Sequence, residues 1–267
     1  MKPLLTFALH LIPIAGIAQP FVAGESNGLA EISTVLQSSS WNGFLNPAFL
    51  GDEETKHAFS YTQQLPYGLK ELSTIQLAYA HRFQKNKGFA VQLQQHGFGL
   101  IENRQASFAY GMLLTEGFQA GIRLHVINYQ QGEAYPSITK VNPEIGMAIQ
   151  LNKHWLIGSQ LMLDRKRNEL QQFENQFIKI GAAYLIDNRV STFGELTFTR
   201  NQPLIQLGIK LQLHPNFHLL AGSFLSPNKF TFGASYQLPK NWEFNFNTTW
   251  HPVLGYLPSI GILFSGK

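Results

Sequence analysis

Cysteine is missing from all 267 residues, and with it go disulfides, a lipoprotein anchor, thiolate catalysis and thiolate metal ligation. Charge is scarce as well. Only 13% of the residues are charged, about half the share of an ordinary soluble domain, although the 44% apolar content is average. The third absence is a long apolar run. Beyond the N-terminus no segment approaches about 18 consecutive apolar residues, which excludes a membrane helix. Low charge combined with a mean hydropathy near zero is what results when every second residue faces lipid and the others are neutral and polar. A secreted all-β domain rich in Gln, Asn, Ser and Thr is the alternative with the same composition. The formal charge of +4 is spread along the chain, so no nucleic-acid footprint is expected.

The N-terminus reads as an export signal over residues 1–18. Met1 and Lys2 make a minimal basic start, Leu4 to Ile17 an apolar run broken by Pro13, and Gly16-Ile17-Ala18 a small-x-small cleavage site before Gln19. An exported chain without membrane helices can span a membrane only as a closed barrel, because unpaired backbone groups are not tolerated in lipid.

The clearest strand pattern is C-terminal. Trp242, Phe244, Phe246, Thr248 and Trp250 alternate with Glu243, Asn245, Asn247, Thr249 and His251, a period of two. The preceding segment alternates Phe230, Phe232, Ala234, Tyr236 and Leu238 with Thr231, Gly233, Ser235 and Gln237, and Pro239-Lys240 joins the two into a hairpin. One face is aromatic and the other is amide and hydroxyl, as in a barrel strand between lipid and lumen. Trp155, Trp242 and Trp250 are placed as interfacial aromatics. From His57 onward about fourteen such runs follow, separated by connections that are tight on one side and several of them long on the other. The expectation is an all-β, antiparallel up-and-down transmembrane barrel of about fourteen strands over residues 52–267, its termini on the short-turn, periplasmic side.

Residues 19–51 do not alternate. Leu29, Ile32, Val35 and Leu36 recur at helical spacing, which predicts a short amphipathic helix from near Ser26, and the Asn46-Pro47-Ala48 element predicts a tight turn after it. With no core of its own, this segment is expected to pack against or inside the barrel, as a periplasmic segment or as a plug of its periplasmic mouth. The lumen row carries Arg123, His125, Glu144, Lys179, Glu195, Lys210 and Glu243 among many Gln and Asn, and confined charges of both signs are costly unless paired. Ala78, Ala80, Ala109, Gly111, Gly121, Gly146, Gly181 and Gly208 on the same face leave room for the segment to enter.

Nine histidines offer no pair at metal-ligand spacing, so neither a metal site nor a cofactor is expected. Ser107, His125 and Glu144 fall on neighbouring strands and would meet in the lumen, but no nucleophile elbow accompanies them, and no enzymatic activity is expected. The partners expected are outer-membrane lipid and envelope or secretion-system proteins, around a monomeric barrel.

The turn Asn46-Pro47-Ala48-Phe49-Leu50-Gly51 resembles that of the Bacteroidota outer-membrane barrels of type IX secretion, both the PorV/PorQ and the PorP/SprF kinds, which are in turn similar to FadL hydrocarbon transporters. Ser226-Pro227-Asn228-Lys229-Phe230-Thr231-Phe232-Gly233 and His251-Pro252-Val253-Leu254-Gly255-Tyr256 also resemble barrels of that phylum. The resemblance implies an accessory or structural barrel of an envelope assembly. A FadL-like channel for small hydrophobic molecules is the alternative.

Overall fold

The computed structural model describes residues 23–36, 41–51, 56–99, 101–132, 136–164, 176–187, 189–199, 203–225, 228–253 and 255–266, so the export signal read over residues 1–18 lies outside the described residues. Fourteen strands form the wall: β1 (His57–Gln64), β2 (Thr74–Gln84), β3 (Lys87–His96), β4 (Ile101–Thr115), β5 (Phe118–Gln131), β6 (Ile138–Gln150) and β7 (Trp155–Met162), then β8 (Phe177–Leu185), β9 (Val190–Thr199), β10 (Pro203–His214), β11 (Phe217–Leu225), β12 (Asn228–Leu238), β13 (Trp242–His251) and β14 (Gly255–Gly266). Each pairs antiparallel with its neighbour in sequence, and β1 closes on β14, so the sheet has no free edge. The result is the transmembrane up-and-down barrel that the alternation predicts.

The period of two decides which side chain meets which medium. Phe246 and Ile122 are 58% and 60% exposed on the outside, whereas their neighbours Asn247 and Arg123 are 1% and 4% exposed on the inside. Tight turns such as Lys85-Asn86, Glu116-Gly117 and Pro215-Asn216 share one rim with the first residue of β1 and the last of β14, which face each other as His57 and Gly266. Trp155 and Trp242 stand outward at that rim, against Tyr184 and Phe264, with ring centroids 4.8 and 5.0 Å apart. Trp250 lies toward the opposite rim, 5.9 Å from the Phe230 ring.

The helix predicted from near Ser26 through Leu36 is not formed. Only one turn, α1 (Glu25–Gly28), is helical, and Ala30 and Glu31 take left-handed φ angles of 53° and 60° that end it. A second single turn, α2 (Asn42–Leu45), is followed by a 3₁₀ turn over Pro47–Gly51. The reason is a competition for backbone partners. A helix satisfies its amides internally, but here the inward wall side chains offer donors and acceptors to the segment's backbone, so an irregular path is equally satisfied. The spacing of Leu29, Ile32, Val35 and Leu36 records burial on all sides: every one of them is 0–2% exposed.

Candidate functional site

The site is the lumen, and its described content is residues 23–36 and 41–51. Leu29, Ile32, Val35 and Leu36 pack there with Trp41, Phe44, Leu45, Ala48, Phe49 and Leu50 against inward Ala58, Ala78, Ala80, Ala90 and Ala109. The wall is cut away where the segment passes. A Cβ added at Gly111 or Gly121 would run into the backbone of Pro47, one at Gly146 into Asn46, and one at Gly158 or Gly181 into Thr34. Farther round, Gly222 leaves space for Leu29 and Ala30, while a Cβ added at Gly208 would press on the side chains of Ile32 and Leu29 at 3.2–3.4 Å. Small residues in these strands weaken the sheet locally, so their place is explained by what lies against them.

The wall then grips the backbone. On the β8–β13 side, Glu195 Oε2 accepts from the backbone N–H of Ser33 (2.9 Å) and Thr34 (2.8 Å) and from the Thr34 hydroxyl (2.8 Å), while its other oxygen lies 3.3 Å from Lys179 Nζ. Gln206 Nε2 donates to Ala30 O, the Thr231 hydroxyl to Gly28 O, and Asn247 Nδ2 to Gly24 O. Lys210 Nζ donates to both oxygens of Glu25 at 2.7 Å. Glu243 accepts from the Trp41 indole at 2.8 Å, from Ser235 at 3.1 Å and from Asn245 at 2.9 Å.

On the β3–β7 side the gripped atoms are carbonyls. Gln92 Nε2 and Arg123 Nη2 donate to Phe44 O at 2.7 and 2.9 Å, and Gln160 Nε2 donates to Leu45 O at 2.8 Å. Arg123 is paired within the wall to Glu144 at 3.3 Å. Asn46 joins the two sides: its amide donates to Thr34 O, and its side-chain oxygen accepts from Ala48 N–H, fixing the turn into Pro47. Thus Asn46, Pro47 and Ala48 are all buried inside the barrel. All seven ionisable residues of the predicted lumen row are buried, and each has a described polar partner.

Ser107, His125 and Glu144 do meet. The Ser107 hydroxyl is 2.8 Å from His125 Nδ1, and His125 Nε2 is 2.7 Å from Glu144. The order is that of a hydrolytic triad, but its surroundings are not. Ser107 sits mid-strand between the paired residues Gln92 and His125, so the neighbouring amides belong to the sheet ladder and supply no oxyanion hole. Gln105 competes for the same imidazole nitrogen at 2.9 Å, and Arg123 and Gln160 occupy the carboxylate. The cluster acts as a hydrogen-bonded brace across β4, β5, β6 and β7.

Sequence reading missed the lining beyond this floor. Ile127, Tyr129, Met162, Phe177 and Phe224 continue the inward registers of His125, Gln160, Lys179 and Gly222 away from the short-turn rim, and all are at most 9% exposed. Their signal is a break in the inner polar row near the long-loop ends of β5, β7, β8 and β11. Among the described residues no helix is long and apolar enough to cross a membrane, and no group of three or more His, Cys, Asp or Glu gathers.

No family model and no curated protein matches the chain. Solved structures do. The fold is similar to that of the Ralstonia pickettii toluene transporter TbuX, with a TM-score of 0.68 at 10% identity over 93% of this chain and 99% of that one. It is equally similar to the Pseudomonas putida toluene transporter TodX, with a TM-score of 0.68 at 11% identity over 92% and 98% of the two chains. A Pseudomonas aeruginosa FadL homologue follows, with a TM-score of 0.67 at 8% identity over 93% and 99%. At such identities the likeness is one of fold, and the fold is that of FadL-like outer-membrane barrels.

Proposed function

We propose that this chain is an outer-membrane conduit for small hydrophobic molecules, closed at rest by residues 23–36 and 41–51 acting as a plug. The observation that carries the reading is the apolar lining of Ile127, Tyr129, Met162, Phe177 and Phe224 beyond the filled floor. A pore for ions or sugars keeps its interior polar and open. Here the inward residues beyond the floor are apolar and closely packed, so an apolar molecule that parts them stays among matching side chains, and the plug with its braced charges bars water-filled passage. The likeness to toluene transporters over nearly the full length of each chain supports the same reading. Nothing in the comparisons supports the link to type IX secretion, and the accessory-barrel reading falls behind the conduit.

The test is uptake of a monoaromatic hydrocarbon into proteoliposomes holding the mature chain. Wild type should accelerate uptake over protein-free liposomes, and Ile127→Gln with Phe224→Gln should abolish most of the gain while the barrel still shifts on heating in SDS gels. Deleting residues 22–40 should raise small-ion conductance in planar bilayers. Hydrocarbon uptake no faster than in protein-free liposomes would sink the conduit.

A further inference from the structure

Two donor atoms flank the Nδ1 atom of His57 on the outer face of the short-turn rim, outside everything the lumen uses. His57 opens β1 and stands opposite His81 on β2. The adjoining pair Lys56–Arg82 is hydrogen-bonded through Arg82 N–H and Lys56 O, so His57 and His81 form the following non-hydrogen-bonded pair, where side chains come closest. Their rings lie 4.6 Å apart with the two Nδ1 atoms 3.2 Å from each other. Tyr79, opposite Phe59 one pair along the same face, brings its hydroxyl to 2.8 Å from the same His57 Nδ1.

The His57 nitrogen is over-subscribed. A neutral imidazole nitrogen has one lone pair, and two partners at hydrogen-bond distance compete for it. The spacing suits a different occupant. Four donors about 2.0–2.1 Å from a tetrahedral metal stand about 3.3 Å from one another, close to the 3.2 Å between the two imidazole nitrogens, and the Tyr79 hydroxyl at 2.8 Å needs to move outward by only about half an ångström to match. We propose that His57, Tyr79 and His81 form a binding site for a borderline divalent metal, Zn2+ or Cu2+, with solvent completing the coordination. Two imidazoles and a phenol oxygen suit such ions, whereas Ca2+ and Mg2+ demand carboxylates and carbonyls, and none is among the three. Binding displaces the protons shared among the three side chains and releases them to solvent. The sequence hides this site because His57 and His81 are far apart along the chain and meet only through the strand register. Its place has a consequence for the fold: the metal bridges the first two strands beside the β1–β14 seam, at the rim where the chain leaves the lumen.

The test titrates Zn2+ into the refolded full-length mature barrel in detergent, followed by calorimetry and by the temperature of the SDS-gel heat shift. Wild type should bind one equivalent and shift at a higher temperature with Zn2+ than with EDTA. His57→Gln and His81→Gln should each weaken that binding by more than about tenfold and erase the temperature shift. Both side chains are on the outer face, and an unchanged heat shift in EDTA verifies that each variant folds. Tyr79→Phe should weaken binding and, with Cu2+, remove the phenolate charge-transfer band. Wild-type affinity in either histidine variant, or no binding by wild type, would overturn the site. Binding untouched in Tyr79→Phe would overturn the three-donor assignment.

Discussion

Residues 23–36 and 41–51 fill one lumen, yet they are held by opposite arrangements of charge. In the second stretch the ions belong to the wall: Arg123 pairs with Glu144, and what they offer the segment is a grip on neutral carbonyls. That stretch can part from the wall without separating an ion pair, and neutral hydrogen-bond partners and shape hold it, with Pro47 seated against Gly111 and Gly121 and beside Gly146. In the first stretch one ion belongs to the segment itself. Glu25 faces Lys210 at 2.7 Å, with His218 Nδ1 3.9 Å away, and withdrawal would separate buried charges. The same stretch carries the two left-handed residues, Ala30 and Glu31. A charge lock on a strained backbone adjoins a steric seat on a relaxed one. The strain that favours release and the ion pair that opposes it thus lie in the same stretch.

The absence of native cysteine makes this contrast measurable, since a single introduced thiol reports alone. Val35→Cys reports on the first stretch and Ala48→Cys on the second; both native side chains are fully buried. The largest effect is expected from Glu25→Gln. Removing one partner of a buried pair costs about 3–5 kcal/mol, so labelling at position 35 should rise by orders of magnitude while position 48 stays protected. Equal labelling at both positions would mean that the two stretches move as one body.

Gly121→Val inverts the test with a smaller effect. A side chain at Gly121 cannot coexist with Pro47, and overpacking of this kind costs about 1–3 kcal/mol. Position 48 should become reactive while position 35, held by Glu195 and by the Glu25–Lys210 pair, remains slow. Protection at both positions would show that the wall, and not the segment, gives way.

Most of the wall was legible because its code is local. Trp242 to His251 alternates without a break, so β13 could be placed to within a residue, and the even count and turn asymmetry closed the barrel. The inward glycines were legible too, since a residue without a side chain on a polar row asks for something to fill the space. The path of residues 29–36 was not. Helical spacing and all-round burial leave the same apolar residues in the same places, and the deciding factor is hydrogen-bond partners on strands more than a hundred residues away. Glu195, Gln206 and Thr231 are such partners, and nothing near Ala30 in sequence announces them. The same distance hid the apolar lining, because Ile127 and Phe224 are unexceptional until register puts them inside.

The smallest effect tests the strain itself. Glu31 holds φ at 60°, a region that costs a side-chain-bearing residue about 1–2 kcal/mol. Glycine adopts it freely but loses more entropy on folding, by about 0.5–1 kcal/mol. The balance favours Glu31→Gly by about 0–1.5 kcal/mol, and Glu31 is partly exposed with no described side-chain hydrogen bond to forfeit. Labelling at position 35 should therefore slow by several-fold, and position 48 should not change. Hydrocarbon uptake should fall with it, because a relaxed first stretch leaves its seat less often. If labelling slows while uptake is unaffected, the first stretch is a fixed part of the floor, and passage runs past the second stretch alone.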